Sequence, residues 1–224
     1  MPTPTLSYAI REYGCDSGVN ITASHNPAKY NGYKAYGPDG SQLSTEASNR
    51  VMEIIQDVDI FEDVKTTEFD KAVEDGIISM IPDSFVAQYV DRVFAESLQP
   101  EVCQKADLNV VYTPLNGAGR NTVLAVLDKC GVKNITLVPE QEFPDGNFPT
   151  APYPNPETKE ALQLGLELSE KEGADILIAT DPDCDRLGVA VKHGDDFQIL
   201  TGNEVGVLLL DYIINTRKKL GTLP

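Results

Sequence analysis

The chain has 224 residues, 41% hydrophobic and 24% charged, the balance of an ordinary globular protein with one large domain or two small ones. A net charge of −17 at pH 7 argues against nucleic acid or an anionic membrane as partner. No apolar run is long enough to span a bilayer, and Met1–Ile10 lacks a basic stretch followed by an apolar core, so no signal peptide is read there and the expected location is the cytoplasm. Cys15, Cys103, Cys130 and Cys184 are scattered, with no C-x-x-C pair, which fits reduced thiols better than zinc ligation or a disulfide framework.

Residues 3–13 predict a helix opened by Thr-Pro, with Leu6, Ile10 and Tyr13 on one face. Residues 18–23 alternate like a short strand, and a loop rich in turn formers follows. Residues 33–36 predict a second strand, ended by Gly37-Pro38-Asp39-Gly40. Ser44 caps a helix to about Asp57, with Val51, Ile54 and Ile55 as its apolar stripe. Residues 58–83 read as an acidic connector, and a helix is expected over 83–98. Beyond it the rhythm is clearer: strand 108–112, helix 120–130, strand 135–138, helix 157–172, strands 176–179 and 187–191, then a helix from Glu204 to Asn215. This alternation predicts an α/β fold with a mixed, mostly parallel sheet covered by helices. Phe143–Pro156 holds five prolines and is expected to be an ordered loop.

The sharpest feature is TDPDCDR, residues 180–186, directly after the buried strand pattern ADILIA. In open α/β sheets, ligands bind beyond the carboxyl ends of strands. Asp181, Asp183 and Asp185 repel one another until a hard divalent cation sits between them, and oxygen donors suit Mg2+. Alternate residues of a straight strand lie too far apart for one ion, so the backbone must curl, and Pro182 is placed to start that curl. An EF-hand loop shares this aspartate spacing but lacks its support here: Arg186 stands where it needs glycine and Lys192 where it needs glutamate. A phosphatase with Asp181 as nucleophile and a solvated acidic loop remain as rival readings.

The second feature is TASHNPAKYNGYK, residues 22–34. Ser24 ends a strand and His25 titrates near neutrality, so His25 is a candidate proton shuttle. Lys34 on the next strand is expected to point back toward the serine. No nucleophile elbow surrounds Ser24, and taken alone it reads as a turn residue more readily than as a nucleophile. Gly117 and Gly119 in TPLNGAGR lack the third glycine of a dinucleotide fingerprint, so that segment reads as a strand-to-helix turn.

Together, TASHNP with YNGYK and TDPDCDR resemble the phosphoserine loop and the magnesium loop of the α-D-phosphohexomutase family. Pro182 and Cys184 stand where glycines are common in that loop, a variant similar to the phosphoglucomutase branch, which also includes phosphomannomutases and phosphopentomutases. LTGNEVGVLLLDYI, residues 200–213 in full, is similar to the lead into the family's third domain. The resemblance implies an incomplete first domain with its connector over 1–85, a complete second domain over 86–200, and the start of a third over 201–224. It further implies that Ser24 carries phosphate and passes it between the C1 and C6 oxygens of a hexose monophosphate through glucose 1,6-bisphosphate. By the same resemblance Ser24, Asp181, Asp183 and Asp185 bind Mg2+, Lys34 is the general acid/base, His25 lies beside it, and Arg186 lies near the phosphoserine. The phosphoserine and three aspartates outweigh one Mg2+, so Arg186, Lys34 and Lys29 are expected to offset the excess negative charge.

The family's sugar-reading and phosphate-clamping motifs, Gly-Glu-x-Ser-Gly and Arg-x-Ser-Gly-Thr, do not occur in these residues. The chain is therefore expected to be an inactive piece of an isomerase that acts on a sugar phosphate, with self-association through exposed apolar surface. The alternative is a metal-binding or interaction module without chemistry.

Overall fold

A computed structural model describes residues 1–223. Helix α1, Thr3–Glu12, begins after Pro2 with Pro4 in its first turn and buries Ala9 and Ile10, while Tyr13, just past its end, is exposed on one side and stacks on Phe85 with the other. Strands β1, Gly18–Ile21, and β2, Tyr33–Tyr36, pair antiparallel. Their register sets Asn20 opposite Lys34. Helix α2, Thr45–Gln56, starts as expected on Ser44, whose side chain accepts from the Ala47 N–H. Its stripe of Val51, Ile54 and Ile55 is exposed.

The acidic connector holds one short helix, α3, Phe69–Glu74, with only Ala72 buried. Helix α4, Ser84–Phe94, lies on α1, where the rings of Phe85 and Tyr8 are 5.5 Å apart and those of Phe85 and Tyr13 are 5.3 Å apart. It stops before Leu98, and a separate helix α5, Pro100–Ala106, follows with Pro100 in its first turn.

The second half contains β3, Asn109–Thr113; helix α6, Arg120–Lys129; β4, Asn134–Leu137; helix α7, Lys159–Glu172; β5, Ile176–Thr180; β6, Leu187–His193; and β7, Asp196–Leu200. They form one five-stranded sheet in the order β4-β3-β5-β6-β7. Strand β3 runs parallel to both neighbours, whereas β6 runs antiparallel to both of its own. Only β6 therefore points against the rest. A parallel connection needs a crossover of about a dozen residues or more, and residues 181–186 are too few, so β6 must turn straight back. Strand β7, absent from the sequence reading, returns from β6 through Gly194-Asp195, a two-residue hairpin loop with Gly194 left-handed at φ 65°.

Val111, Leu162, Leu166, Leu177, Ala179 and Ala190 form the core between the sheet and α7. The proline-rich segment is an ordered loop, as expected, with buried Ala151 and a chain of hydrogen bonds from Thr113 to Gln141 and on to Thr150. Its last carbonyl, of Pro156, presses on Gly188, where a Cβ would lie 2.0 Å from the oxygen. The final helix, α8, runs over Gly202–Leu220, longer than the sequence pattern indicated, and opens on a capping box between Thr201 and Glu204. Val207, Leu208, Leu209 and Leu210 are all exposed on it. Among the described residues no helix is long and apolar enough to cross a membrane.

Candidate active site

Strands β3 and β5 are neighbours and parallel, so their carboxyl ends open on the same edge of the sheet. The loops that leave them, residues 114–119 and 181–186, meet there. The aspartate loop curls as its sequence required: the Cys184 N–H donates to the Asp181 carbonyl at 2.9 Å, closing a turn with Pro182 in its second position. Cys184 then takes a left-handed conformation at φ 57°.

The glycine-containing turn is more than a connector. The Ala118 N–H donates to the Pro182 carbonyl at 2.7 Å. A Cβ on Gly117 would lie 2.3 Å from the Pro182 Cα, and one on Gly119 would crowd the Tyr112 hydroxyl, Thr180 and Cys184. These two glycines let one backbone rest directly on the other. Burial pushes the Cys184 thiol up to about 11, so it stays protonated and serves as wall rather than as nucleophile.

Asp181 is fully buried and Asp183 is 5% exposed, whereas Asp185 is exposed. Oδ1 of Asp181 accepts the N–H groups of Asp185 at 3.0 Å and Arg186 at 2.9 Å. Its Oδ2 accepts the Ser24 hydroxyl at 2.9 Å. Oδ2 of Asp183 accepts the Thr3 hydroxyl at 2.8 Å and the Lys34 ammonium at 2.7 Å. Lys34 also donates to Asp185 Oδ2 at 2.9 Å. Burial first, and then the neighbouring Asp183, push the Asp181 carboxyl up. Burial opposes charge on Asp183 too, but its hydrogen bond from the Lys34 ammonium, with the further help of Thr3, outweighs it and holds that carboxyl below the usual range.

Ser24 is itself left-handed at φ 54°, and its N–H donates to the Thr22 hydroxyl. That strained turn swings Oγ onto the aspartate loop, across a sequence separation of 157 residues. His25 Nδ1 lies 3.3 Å from the same Oγ, and the Tyr153 ring from the proline-rich loop packs edge-on against the imidazole at 5.8 Å. Burial, and next the Arg186 charge, lower the His25 pKa. Lys34 does not reach the serine; it spans Asp183 and Asp185, whose hydrogen bonds outweigh the opposing effect of burial and keep its ammonium above the ordinary value. The Arg186 side chain is exposed, and the residue bonds to the site through its backbone N–H. Lys29 is exposed with Nζ over the Tyr30 ring at 5.2 Å.

The donor set fits a hard cation. One carboxylate oxygen from each of Asp181, Asp183 and Asp185 falls within 4.8 Å of the other two. Oδ1 of Asp183 is buried without any hydrogen-bond partner among the described residues, the usual mark of a missing ligand at such a position. All-oxygen donors of this kind suit Mg2+.

Comparison with known proteins agrees with this geometry. The pattern of phosphoglucomutase/phosphomannomutase alpha/beta/alpha domain I matches residues 1–60, and that of domain II matches residues 87–194. The chain belongs to the phosphoglucomutase/phosphomannomutase family. It is 39% identical over 209 residues to the phosphoglucomutase of Staphylococcus saprophyticus, a match that covers 93% of this chain and 37% of that protein. Its fold is similar to that of a phosphoglucomutase/phosphomannomutase family protein from Burkholderia thailandensis, with a TM-score of 0.60 at 24% identity, covering 89% of this chain and 40% of the other. It is also similar to Aspergillus fumigatus N-acetylphosphoglucosamine mutase solved with GlcNAc-6P and magnesium, with a TM-score of 0.51 at 14% identity, covering 98% of this chain and 52% of the other. The chain thus spans less than two fifths of the length of the phosphoglucomutase it matches.

The structure brings the expected serine, lysine and aspartates together, and adds Thr3, Asn20 and the seat under Pro182, which the sequence did not mark. Gly117 and Gly119 were visible as a turn; nothing local marked what they would touch. Gly117→Ala is expected to displace the aspartate loop, costing about 1–3 kcal/mol as an overpacked contact does. Urea unfolding measures the loss, and a titration with Mn2+ should show weaker binding in the same variant.

Proposed function

We propose that this chain carries the phosphoserine and metal-binding part of a phosphoglucomutase-type active site. The observation that carries the reading is the 2.9 Å contact of Ser24 Oγ with Asp181, which joins the serine turn to the carboxylate cluster. In this reading residues 1–85 are part of domain I with its connector, residues 86–200 are domain II, and residues 201–224 lead into domain III. Ser24 carries the phosphate; Asp181, Asp183 and Asp185, with an oxygen on Ser24, hold Mg2+. When bound, Mg2+ supplies charge neutralisation at the transferring phosphoryl group.

The chain's own residues position the rest. A sugar hydroxyl attacks phosphorus and gives its proton to a base, while the bond from phosphorus to Ser24 Oγ breaks and Oγ takes up a proton. His25 is within reach of that oxygen at 3.3 Å. Lys34, held protonated between two carboxylates, is a charge partner and proton donor in the general acid/base role. Arg186 and Lys29 are the remaining cations of these loops for a phosphorylated ligand. The substrate is a hexose 1- or 6-phosphate, with glucose 1,6-bisphosphate as intermediate and activator; phosphomannomutase and phosphopentomutase chemistry are the neighbouring alternatives. The unpaired cysteines suit the cytoplasm.

A non-catalytic metal-binding module is the rival, and intact-mass measurement separates the two. Protein incubated with glucose 1,6-bisphosphate and Mg2+ should gain one phosphate that Ser24→Ala lacks; no gain in the unaltered chain favours the rival. The 224 residues alone are expected not to interconvert glucose 1-phosphate and glucose 6-phosphate in a coupled assay, and sustained turnover would overturn that part of the proposal. The exposed apolar residues of α2 and α8 favour self-association. Light scattering across a concentration series should show a rising mean mass, and a constant monomer mass would count against it.

A further inference from the structure

The first turn of α1 sits on the aspartate loop through two bonds from a single residue. The Thr3 N–H donates to the Asp183 carbonyl at 2.8 Å, and the Thr3 hydroxyl donates to Asp183 Oδ2 at 2.8 Å. Thr3 is buried, and it is separated from Asp183 by 180 positions. Its hydroxyl oxygen in turn accepts the Asn20 side-chain amide at 2.6 Å.

The direction of this chain of bonds is fixed by chemistry. An ionised carboxylate only accepts, so Thr3 must give its one hydroxyl proton to Asp183. Its oxygen can then only accept from its other neighbour, which requires the NH2 end of the Asn20 amide. Asn20 faces Lys34 across the β1–β2 ladder, and the two strands thereby send two donors toward the same atom: Lys34 directly and Asn20 through Thr3. Asp183 Oδ2 is therefore occupied by two donors, while Oδ1 is left buried without a partner. The carboxylate is held so that one oxygen is committed to the fold and the other is available to a ligand. The α1 N-terminus adds the positive end of its dipole to the same side.

We infer that Thr3, oriented by Asn20, is a positioning residue that presents Asp183 Oδ1 to the divalent cation. The inference rests on the metal assignment proposed above. Partners that orient a ligating carboxylate typically change metal affinity by about 10–100-fold when removed. Thr3 belongs to the serine-bearing part of the chain and Asp183 to the other, so the hydroxyl also fixes how the two parts meet at the site.

The test is direct binding of Mg2+ alone by calorimetry, repeated with Mn2+ by electron paramagnetic resonance. Thr3→Val keeps the shape and removes the hydroxyl; it should weaken binding about tenfold. Thr3→Ser keeps the donor and should bind within about threefold of the unaltered protein on the same scale. Asn20→Ala leaves Thr3 in place but frees its hydroxyl to rotate, and should fall between the two; it also serves if Thr3→Val does not fold, as judged by circular dichroism. Metal affinity unchanged in folded Thr3→Val, or unchanged in Asn20→Ala when Thr3→Val is unfolded, overturns the inference while leaving the metal site intact. Equal losses in Thr3→Val and Thr3→Ser overturn it as well, since packing rather than the hydroxyl would then be responsible. No binding by the unaltered chain removes the metal assignment itself, and this inference with it.

Discussion

Mutual repulsion among the carboxylates of one short loop is the constraint that the rest of this structure answers. Asp181 and Asp183 are buried, where an unpaired carboxylate is costly, and Asp185 stands beside them. The fold does not dilute that charge with solvent. It surrounds it with donors drawn from distant segments: two N–H groups of the loop itself, the hydroxyls of Ser24 and Thr3, and the ammonium of Lys34. Every one of these is spent on specific oxygens, and one buried oxygen of Asp183 is left over. The arrangement is charge-matched only in part, as the proposed cation site requires.

The sheet makes this concentration of charge possible by offering two adjacent parallel strand ends. Close backbone contact at Gly117 and Pro182 turns the two loops into one surface, and the short connection to β6 holds the aspartates at the edge instead of carrying them into a crossover. On the other side, the β1–β2 hairpin and the start of α1 bring their donors as a group. The serine turn and the lysine strand reach the carboxylates from that group, so the two parts meet at the aspartate loop as well as through the aromatic contact of α1 with α4. The compact core lies between the five-stranded sheet and α7, whereas α2 and much of α8 face solvent.

Much of the local structure could be read directly from the residues. Ser44 marked the start of α2, and apolar periodicity found most strands. The exceptions have physical causes. Val51, Ile54 and Ile55 keep helical spacing on α2, but periodicity reports only that a face is apolar, not that something covers it. Strand β7 escaped notice because Asp196–Leu200 is half exposed and mixes polar with apolar residues, and only its pairing with β6 makes it a strand. The end of α4 was placed too late because Pro100 starts a new helix rather than following a longer one.

By itself, the sequence determined the chemical inventory: which loops bear the serine and the aspartates, and that the aspartate loop must curl, since proline and turn propensities act over a few residues. The tertiary structure alone decided which donor serves which oxygen. It sent Lys34 to Asp183 and Asp185 rather than to Ser24, kept Lys29 on Tyr30, and brought Thr3 and Asn20 to the site. The reason is that a hydrogen bond across 157 or 180 positions depends on strand register and on the packing of separate segments. No local pattern of residues encodes either.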